Sequence, residues 1–250
     1  MTPDIPGDGG SARSPGTAPP TLACPAARSR PELGDDCWFL AGPTAAGKTS
    51  LGVRMAERLR AEIVSVDSMA VYRGLDIGTA KPGQADRGSV PHHLIDVVSP
   101  GESYNVARWL ADVTRAMESI RDRGRRILFV GGTPLYLRAL RDGLAEVPGE
   151  NPEIRGRLRA EVEATGPAAL HARLTRVDPE AARRIHPNDA KRIIRALEVA
   201  ESGVTLSAAF APAPHVVFRS QLMVVALPRN LLRDRIDRRV ERMFATGLIE

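Results

Sequence analysis

A glycine-rich octapeptide, residues 42–49, lies between a short apolar run, residues 37–41, and a segment of helical character, residues 50–60. It matches G-x-x-x-x-G-K-[ST], the motif in which backbone N–H groups at the start of a helix surround phosphate oxygens. A chance glycine-rich turn is the alternative, but the preceding strand and the following helix are the context that a phosphate-binding loop requires. The octapeptide therefore predicts an α/β fold with a diphosphate bound beyond the carboxyl end of its first strand.

The candidate diphosphate ligands are all the residues of this loop: Gly42, Pro43, Thr44, Ala45, Ala46, Gly47, Lys48 and Thr49. The glycines let the backbone curve around the phosphates, the Lys48 ammonium adds a full charge, and the Thr49 hydroxyl can bind Mg²⁺. The loop by itself does not distinguish ATP from another diphosphate. A GTPase would also need an N-K-x-D sequence, which is absent, and residues 127–130 lead into Gly131 instead of an acid, which disfavours ATP hydrolysis.

Strand-like and helical segments alternate along the chain, and this alternation predicts a parallel sheet covered by helices. Apolar runs indicate further strands at residues 62–66, 94–98, 127–130 and 222–227, and apolar periodicity indicates a helix over residues 106–123. The predicted fold class is α/β, with a P-loop NTPase-like parallel sheet core and a helical insertion domain.

Composition divides the chain into three parts. Residues 1–34 are rich in Pro and Gly and are expected to form a disordered tail. Residues 35–145 together with 216–250 should form the P-loop core, and residues 146–215, which lack any strand-like run, should form the helical insertion. Its predicted helices are 152–164, 168–174, 179–185 and 190–202. No stretch approaches the roughly 18 apolar residues of a membrane-spanning helix, so we expect a soluble, cytoplasmic protein.

The charge of the chain is unevenly placed. The formal net charge of +5 comes entirely from residues 151–250, which hold seventeen basic and twelve acidic side chains. This surplus predicts a surface for a polyanion such as RNA, although an ordinary solvated surface explains it equally well. The densest basic patch consists of Arg183, Arg184, Lys191, Arg192 and Arg195.

The basic residues are also uneven in kind. The chain has 32 arginines and only three lysines, Lys48, Lys81 and Lys191. Because arginine is used almost everywhere else, a retained lysine indicates a need for a compact ammonium group.

Two polar residues follow predicted strands at the carboxyl edge of the sheet. Asp67 comes directly after the strand 62–66, beside the loop of the first strand, where a carboxylate can act as a general base or as an indirect Mg²⁺ ligand. Capping the next turn is the alternative role of Asp67. Thr133 follows two glycines at the same edge, where a plain strand-to-helix turn explains it equally well.

A second group of cations lies near the end of the chain. In residues 230–244, the side chains of Arg235, Arg239 and Arg242 share one helical face and could close over a diphosphate from the side opposite the loop. A surface ladder with the acidic residues of the same helix is the more ordinary explanation.

Several segments together match one known family: residues 42–49, 65–68, 72–82, 91–96, 131–133 with Tyr136, and 184–189 followed by 195–198. On these segments the chain resembles the tRNA dimethylallyltransferases, also called tRNA isopentenyltransferases, over essentially residues 38–250. The run 72–82 is far more specific than the phosphate-binding loop, which many unrelated proteins share. The end of the chain departs from the pattern, since bacterial members continue beyond Glu250; we expect a folded core and leave its turnover open.

This resemblance implies transfer of the dimethylallyl group from dimethylallyl diphosphate to the exocyclic N6 amine of an adenosine adjacent to the anticodon in tRNA, with Mg²⁺ as cofactor. It implies that Asp67 takes the proton from the amine and that Thr133 contacts the target nucleotide. Arg239, with Arg235 beside it, would clamp the diphosphate. The implied tRNA contacts are Asp67, Ser68, Met69, Ala70, Thr133, Arg155, Ala190, Lys191, Arg192, Ile193 and Ile194, so the insertion would bind tRNA.

Two other functions remain open on the sequence. A P-loop small-molecule or nucleotide kinase would use the arginine-rich helix as a lid over ATP. A catalytically inert P-loop protein would bind RNA without transferring anything. We expect a monomer that binds tRNA and dimethylallyl diphosphate and does not bind a membrane.

Overall fold

The computed structural model describes residues 30–145, 147–210 and 221–249. Their strands are β1 (Cys37–Ala41), β2 (Ala61–Val66), β3 (His92–His93), β4 (Arg126–Gly131) and β5 (Gln221–Val224). Their helices are α1 (Lys48–Leu59), α2 (Gln84–Arg87), α3 (Val106–Asp122), α4 (Pro134–Asp142), α5 (Pro152–Thr165), α6 (Pro167–Val177), α7 (Pro179–Arg184), α8 (Ala190–Glu201), α9 (Leu206–Ala209) and α10 (Arg229–Ala245). No helix among them is long and apolar enough to cross a membrane.

The five strands form one parallel sheet in the order β3-β2-β4-β1-β5. This confirms the predicted α/β class with a parallel sheet core. β4 lies between β1 and β2, so the end of β4 separates the loop after β1 from Asp67 after β2. The register pairs Gly131 with both Ala41 and Val66, and the loops after the three central strands therefore leave the sheet at the same level.

Helices cover both faces of the sheet, which explains why its strands read as continuous apolar runs. Phe39 and Phe129 stack at 4.7 Å between ring centroids on the face that α3 and α4 cover. Leu40 and Leu128, which adjoin Phe39 and Phe129 in the same strands, pack with Ala56 of α1 on the opposite face. The alternation of side chains along each strand thus divides the core into two layers.

The last residues of the predicted disordered tail, residues 1–34, already pack against this core. Residues 1–29 of that tail lie outside the described residues, but Leu33 packs against the core layer of α3 and α4. The guanidinium of Arg121, in the last turn of α3, donates to the Glu32 carbonyl at 2.9 Å and to the Asp36 carboxylate at 2.7 Å. Arg121, which is distant in sequence, thus fixes the end of a segment whose composition alone predicted disorder.

The four helices predicted between residues 152 and 202 are present as α5 to α8, and their ends lie within three residues of the prediction. They bury a hydrophobic cluster of their own, in which Leu158, Leu170, Leu174 and Ile193 are fully buried. Glu146 and residues 211–215 of the predicted insertion, and 216–220 of the predicted core, lie outside the described residues. The helices α5 to α8 are amphipathic segments that complete a core only by packing on one another.

One buried carboxylate connects three parts of this helical cluster. Glu198, 1% exposed, accepts hydrogen bonds from Arg155 Nε (3.0 Å), from Arg195 Nη1 (2.6 Å) and from the Asn151 backbone (2.7 Å). Burial opposes ionisation of Glu198, but these hydrogen bonds outweigh it and lower the pKa of the carboxyl. Breaking either arginine contact would leave a buried charge undercompensated.

The predicted strand over residues 94–98 is wrong. The strand at this place is β3, which ends at His93, because Leu94 (φ 61°) and Asp96 (φ 58°) have left-handed backbone conformations that interrupt an extended chain. The backbone N–H of Asp96 instead donates to the Ala70 carbonyl at 3.0 Å. The apolar pattern of residues 94–98 could not predict this irregular backbone, because contacts with residues distant in sequence stabilise it.

Two other differences concern strand and helix ends. The predicted strand 222–227 is shorter in the structure, where β5 ends at Val224 because its partner β1 ends at Ala41 and the phosphate-binding loop turns away. Sequence reasoning also missed α4. Pro134 occupies its first turn, a position at which proline favours a helix start and could have indicated it.

Replacing Gly131 by alanine should destabilise the protein by about 3 kcal/mol, because overpacking against backbone cannot be relieved by a rotamer change. A Cβ atom there would lie 2.1 Å from the Val66 carbonyl oxygen, inside the paired strands β4 and β2. Gly156→Ala is the matched control, since its Cβ meets open space within α5 and should stabilise the helix by about 0.5–1 kcal/mol. Urea unfolding measures both; an unchanged midpoint for Gly131→Ala would contradict the prediction.

Candidate active site

The phosphate-binding loop joins β1 to α1 through a turn with left-handed residues. Gly47 (φ 89°) directly precedes α1, and Ala45 has φ 58°. Gly47 offers no side chain to cap the helix, so the N–H groups of the first turn are available to an anion at the positive end of the helix dipole. The loop thus has the form that the sequence motif predicts.

The Lys48 side chain lies across this loop, where its Nζ donates to the Pro43 carbonyl at 2.6 Å. Burial lowers the pKa of Lys48; the nearby Asp67 carboxylate opposes this shift and the Arg239 guanidinium adds to it. A dianionic phosphate that approached Lys48 would favour the charged form of the amine and would itself be stabilised by it.

A cavity of about 750 Å³ opens beside the loop. Its walls are residues 44–49, the carboxyl ends of β2 and β4, residues 78–82 and four arginines of α10. Apolar side chains, Ile63, Met69, Ile95 and Val130, also line it. The cavity therefore offers charged groups for an anion and an apolar surface for a hydrocarbon group.

Asp67 lies in the wall of this cavity, at the end of β2. Its Oδ1 accepts from the backbone N–H of Met69 at 2.8 Å and of Ala70 at 3.4 Å, the capping role that was the alternative on the sequence. Its Oδ2 accepts no hydrogen bond from any residue that the structure describes. One oxygen thus fixes the turn, while the other can accept a proton.

Thr133 connects the loops after β4 and β2. Its Oγ1 accepts from the Ser68 backbone N–H at 3.2 Å, and Thr133 is also the residue that precedes α4. Gly132 lets the loops approach further, because a Cβ there would lie 2.6 Å from the Gly42 carbonyl oxygen. The structure therefore brings Thr133, Asp67 and the phosphate-binding loop to one cavity.

Arg239 joins the two sides of the cavity. Its Nη1 donates to Thr44 Oγ1 in the phosphate-binding loop at 3.1 Å, and its Nη2 donates to the Thr79 carbonyl at 3.3 Å. Burial lowers the pKa of Arg239, Asp67 opposes that shift, and Arg242 adds to it. The guanidinium thus stands over the loop, where a diphosphate oxygen could receive its hydrogen bonds.

Three other arginines of α10, Arg235, Arg238 and Arg242, line the same cavity. Arg235 lies beside Gly47, with Nη1 3.9 Å from where a Cβ of that glycine would be. The alternative of a surface ladder has no support within the described part of the chain, where no ion pair joins these arginines to Asp234, Asp237 or Glu241. Arg235, Arg239 and Arg242 instead line the cavity.

The candidate tRNA ligands divide into two groups. Asp67, Met69, Ala70 and Thr133 line the cavity, and Ser68 is their neighbour in the chain, whereas Arg155 and residues 190–194 belong to the helical cluster and are not in the cavity wall. The Arg155 guanidinium is occupied by Glu198 at 3.0 Å and by Glu150 at 2.8 Å. Its visible role is to hold the helical cluster together.

At the start of α8, only part of the candidate set is accessible. Lys191 and Arg192 are exposed, whereas the side chains of Ile193 and Ile194 are buried in the helical cluster. A nucleic acid at this turn could therefore reach the two cations and the backbone, but not the isoleucine side chains.

Sequence reasoning quoted residues 72–82 as a motif but gave none of them a role at the site. Residues 78–82 of this segment form one wall of the cavity, and within it the Lys81 side chain is only 2% exposed. The signal that could have identified Lys81 is its retention as one of three lysines in an arginine-rich chain.

Comparisons with known proteins identify the family of this chain. A sequence profile of the IPP transferase family matches residues 70–250. The tRNA dimethylallyltransferase of Anaeromyxobacter dehalogenans is 51% identical over 214 residues, which cover 85% of this chain and 72% of that protein. The full-length tRNA isopentenylpyrophosphate transferase of Bacillus halodurans is 39% identical with a TM-score of 0.53, over 86% of this chain and 68% of that one.

A crystallographically characterised eukaryotic dimethylallyltransferase acting on tRNA matches with a TM-score of 0.70 at 29% identity, over 84% of this chain and 53% of that one. The family profile covers well over half of this chain, and the bacterial relative shares half of its residues over most of its length. The chain therefore belongs to the IPP transferase family, the tRNA dimethylallyltransferases.

Proposed function

We propose that this protein transfers the dimethylallyl group of dimethylallyl diphosphate to the exocyclic N6 amine of an adenosine adjacent to the anticodon in tRNA. The observation that carries the proposal is one cavity that contains the phosphate-binding loop, the Arg239 guanidinium and the Asp67 carboxylate. Cations and a carboxylate in one space suit a reaction in which a diphosphate leaves and an amine loses a proton. The tRNA dimethylallyltransferase that is 51% identical to this chain supports the same reaction.

The residues of the cavity account for each change of charge in this transfer. The amine nitrogen attacks the first carbon of the allyl group, a C–N bond forms, and the C–O bond to the diphosphate breaks. Negative charge then grows on the diphosphate, where Lys48 and Arg239 stabilise it more strongly than in the ground state. The proton on the nitrogen passes to Oδ2 of Asp67, so the products are the prenylated adenosine, the diphosphate and the protonated carboxyl.

Mg²⁺ fits the donors of this cavity. The Thr49 hydroxyl lines it, and a hard oxygen donor of this kind, completed by diphosphate oxygens and water, suits that ion. When bound, Mg²⁺ would supply charge that stabilises the leaving diphosphate. Lys48 lies next to Thr49 in the loop and acts on the same diphosphate.

The tRNA must present an adenosine that has left its stack, because the allyl carbon lies inside the cavity. We propose that Thr133 and residues 67–70 contact the extruded nucleotide. The exposed cations Lys191 and Arg192 would contact the phosphate backbone, which offsets part of the cost of about a few kcal/mol for unstacking. The protein would act as a cytoplasmic monomer, with the helical cluster of α5 to α9 as its tRNA-binding domain.

The two alternatives from the sequence are not favoured. A kinase would transfer the γ-phosphate of ATP, and an inert RNA-binding protein would transfer nothing, whereas the 51% identical relative is a transferase by name. Incubation with radiolabelled dimethylallyl diphosphate, Mg²⁺ and unmodified tRNA tests the proposal, with γ-labelled ATP in a parallel reaction. We expect label on tRNA adenosine from the first substrate and none from the second. Label transferred only from ATP, or tRNA binding without any transfer, would overturn the proposal.

A further inference from the structure

The groups around Lys81 suit an ammonium group and do not suit a guanidinium. Its side chain is 2% exposed, and its Nζ donates to the Tyr72 carbonyl at 2.5 Å, to Asp76 Oδ1 at 2.6 Å and to Asp96 Oδ1 at 2.6 Å. Three acceptors around one nitrogen use all three protons of the ammonium. Burial opposes the charge, but the hydrogen bonds to the two carboxylates outweigh it and raise the pKa of Lys81.

These contacts close the segment 72–82 on itself. Tyr72 lies at its start, Asp76 in its middle, and Lys81 near its end, so one nitrogen ties three points of the segment together. The turn between the last two has the hydrogen-bond pattern of a Schellman motif, with Lys81 N donating to Asp76 O at 3.1 Å and Ala80 N to Ile77 O at 3.0 Å. Ala80 takes the left-handed conformation (φ 46°) that this turn requires and that alanine disfavours.

Asp96 extends the network beyond the segment. Arg87 donates to Asp96 Oδ2 at 3.2 Å and, through Nε, to the Pro82 carbonyl at 2.9 Å. Pro82, the last residue of this cavity wall, is therefore connected through Arg87 to Asp96. Asp96 lies in the irregular stretch after β3 for which the sequence predicted a strand. Two cations and two carboxylates balance each other, so the network adds no net charge beside the cavity.

The turn of residues 76–81 contains an acceptor for Arg239. Thr79, the residue before Ala80, presents its carbonyl to Arg239 Nη2 at 3.3 Å, while Thr44 of the phosphate-binding loop accepts from Nη1 at 3.1 Å. α10 itself buries none of its residues, so packing does little to fix the direction of this long side chain. The Thr79 carbonyl is thus one of two acceptors that hold the guanidinium over the loop.

We propose that Lys81 is a positioning residue for diphosphate binding: it holds the Thr79 carbonyl in the place that directs Arg239 over the phosphate-binding loop. The inference rests on the proposed function, because it deepens the role of Arg239 at that site. It also accounts for one of the three lysines in a chain that has 32 arginines. A planar guanidinium is larger and directs its N–H groups in one plane, so it cannot replace an ammonium among three converging acceptors.

Titration calorimetry with inorganic pyrophosphate and Mg²⁺ measures the predicted effect without a transfer assay. We expect Lys81→Met and Lys81→Arg each to weaken pyrophosphate binding by about tenfold, since misplacing a charge-assisted hydrogen bond costs about that much. Wild-type affinity in Lys81→Arg would overturn the inference, because charge alone would then suffice. Should Lys81→Met fail to fold, Asp76→Asn, whose side chain is 65% exposed, must still weaken binding by about threefold; unchanged affinity there would also overturn it.

A double mutant separates positioning from a general structural role. If Lys81 acts through Arg239, Lys81→Met combined with Arg239→Gln should bind pyrophosphate within about twofold of Arg239→Gln alone. Losses that multiply would overturn the inference. Arg121→Met is the matched control: it removes a cation that also holds a carbonyl and a carboxylate, but near the start of β1, and we expect it to lower thermal stability without changing pyrophosphate affinity.

The wild-type protein keeps this test apart from that of the proposed function. If wild type binds pyrophosphate and prenylates tRNA while Lys81→Met and Lys81→Arg bind as well as wild type, only the positioning role fails. If wild type binds no pyrophosphate, the proposed function fails together with the inference.

Discussion

An Asp67→Asn protein should transfer the dimethylallyl group about a thousandfold more slowly than wild type, because an amide cannot take the proton that a general base accepts. The fold should persist. The Asn side chain keeps the Oδ1 atom that accepts from the backbone of Met69 and Ala70, so the turn after β2 remains capped. An alanine at this position would lose both functions at once and would not separate them.

Binding should survive the same substitution. The Asp67 carboxylate stabilises the charged forms of Lys48 and Arg239, and its own charge repels an anion. Removing that charge should leave the affinity for dimethylallyl diphosphate equal to wild type or higher. Single-turnover kinetics with saturating tRNA measures the transfer step, and equilibrium binding of each substrate measures the rest.

Asp112→Asn is the matched control for this experiment. Asp112 is buried, and its carboxylate accepts from the Tyr104 hydroxyl at 2.7 Å, but it belongs to α3 and is absent from the cavity wall. We expect wild-type transfer from Asp112→Asn. A wild-type rate in Asp67→Asn would instead remove this carboxylate from the mechanism.

The second large effect should come from Lys48→Met, which keeps the length of the side chain and removes its charge. We expect affinity for dimethylallyl diphosphate to fall by about a hundredfold, since a charge-assisted bond to a phosphate is worth about 1.5–3 kcal/mol. Arg58→Met is the control, because that exposed cation lies in the last turn of the same helix, far from the loop. Equal affinity of Lys48→Met and Arg58→Met would contradict the assigned role of Lys48.

The pH dependence of diphosphate binding provides an independent check on Lys48. Burial lowers the pKa of this amine in the free protein, so a rise in pH should remove its charge earlier than for an exposed lysine. Loss of the positive charge weakens anion binding; affinity should therefore decline toward alkaline pH, starting below the ordinary lysine range near 10.4. The decline should be absent in Lys48→Met, and calorimetric titrations across this range would show the difference.

Local signals were enough to predict the elements that need only neighbouring residues. The loop of residues 42–49 has a glycine at each required turn, and the amphipathic helices α3, α5 and α8 have apolar residues at helical spacing. These features depend on contacts a few residues apart. The same reasoning failed at residues 94–98, where Ala70 and Lys81 impose an irregular path from far away in the chain.

The candidate site shows the same division. Asp67 and Thr133 could be placed at the carboxyl edge of a parallel sheet, because every strand of such a sheet ends there. The sequence could not predict which residues contact Asp67 and Thr133. It also left open whether the arginines of α10 bind a diphosphate or form a surface ladder with the acidic residues of the same helix. The contact between Arg239 and Thr44 joins residues 195 positions apart.

The sequence by itself determines a phosphate-binding loop on an α/β sheet. This loop is a local backbone structure, and its glycines, its lysine and the start of the next helix define it together. The order of the strands, the insertion of β4 between β1 and β2, and the closing of Lys81 and Arg239 around the cavity are decided only in the folded molecule. The reason is physical: each of those contacts gains its energy from groups that are distant in sequence and meet only after the sheet has formed.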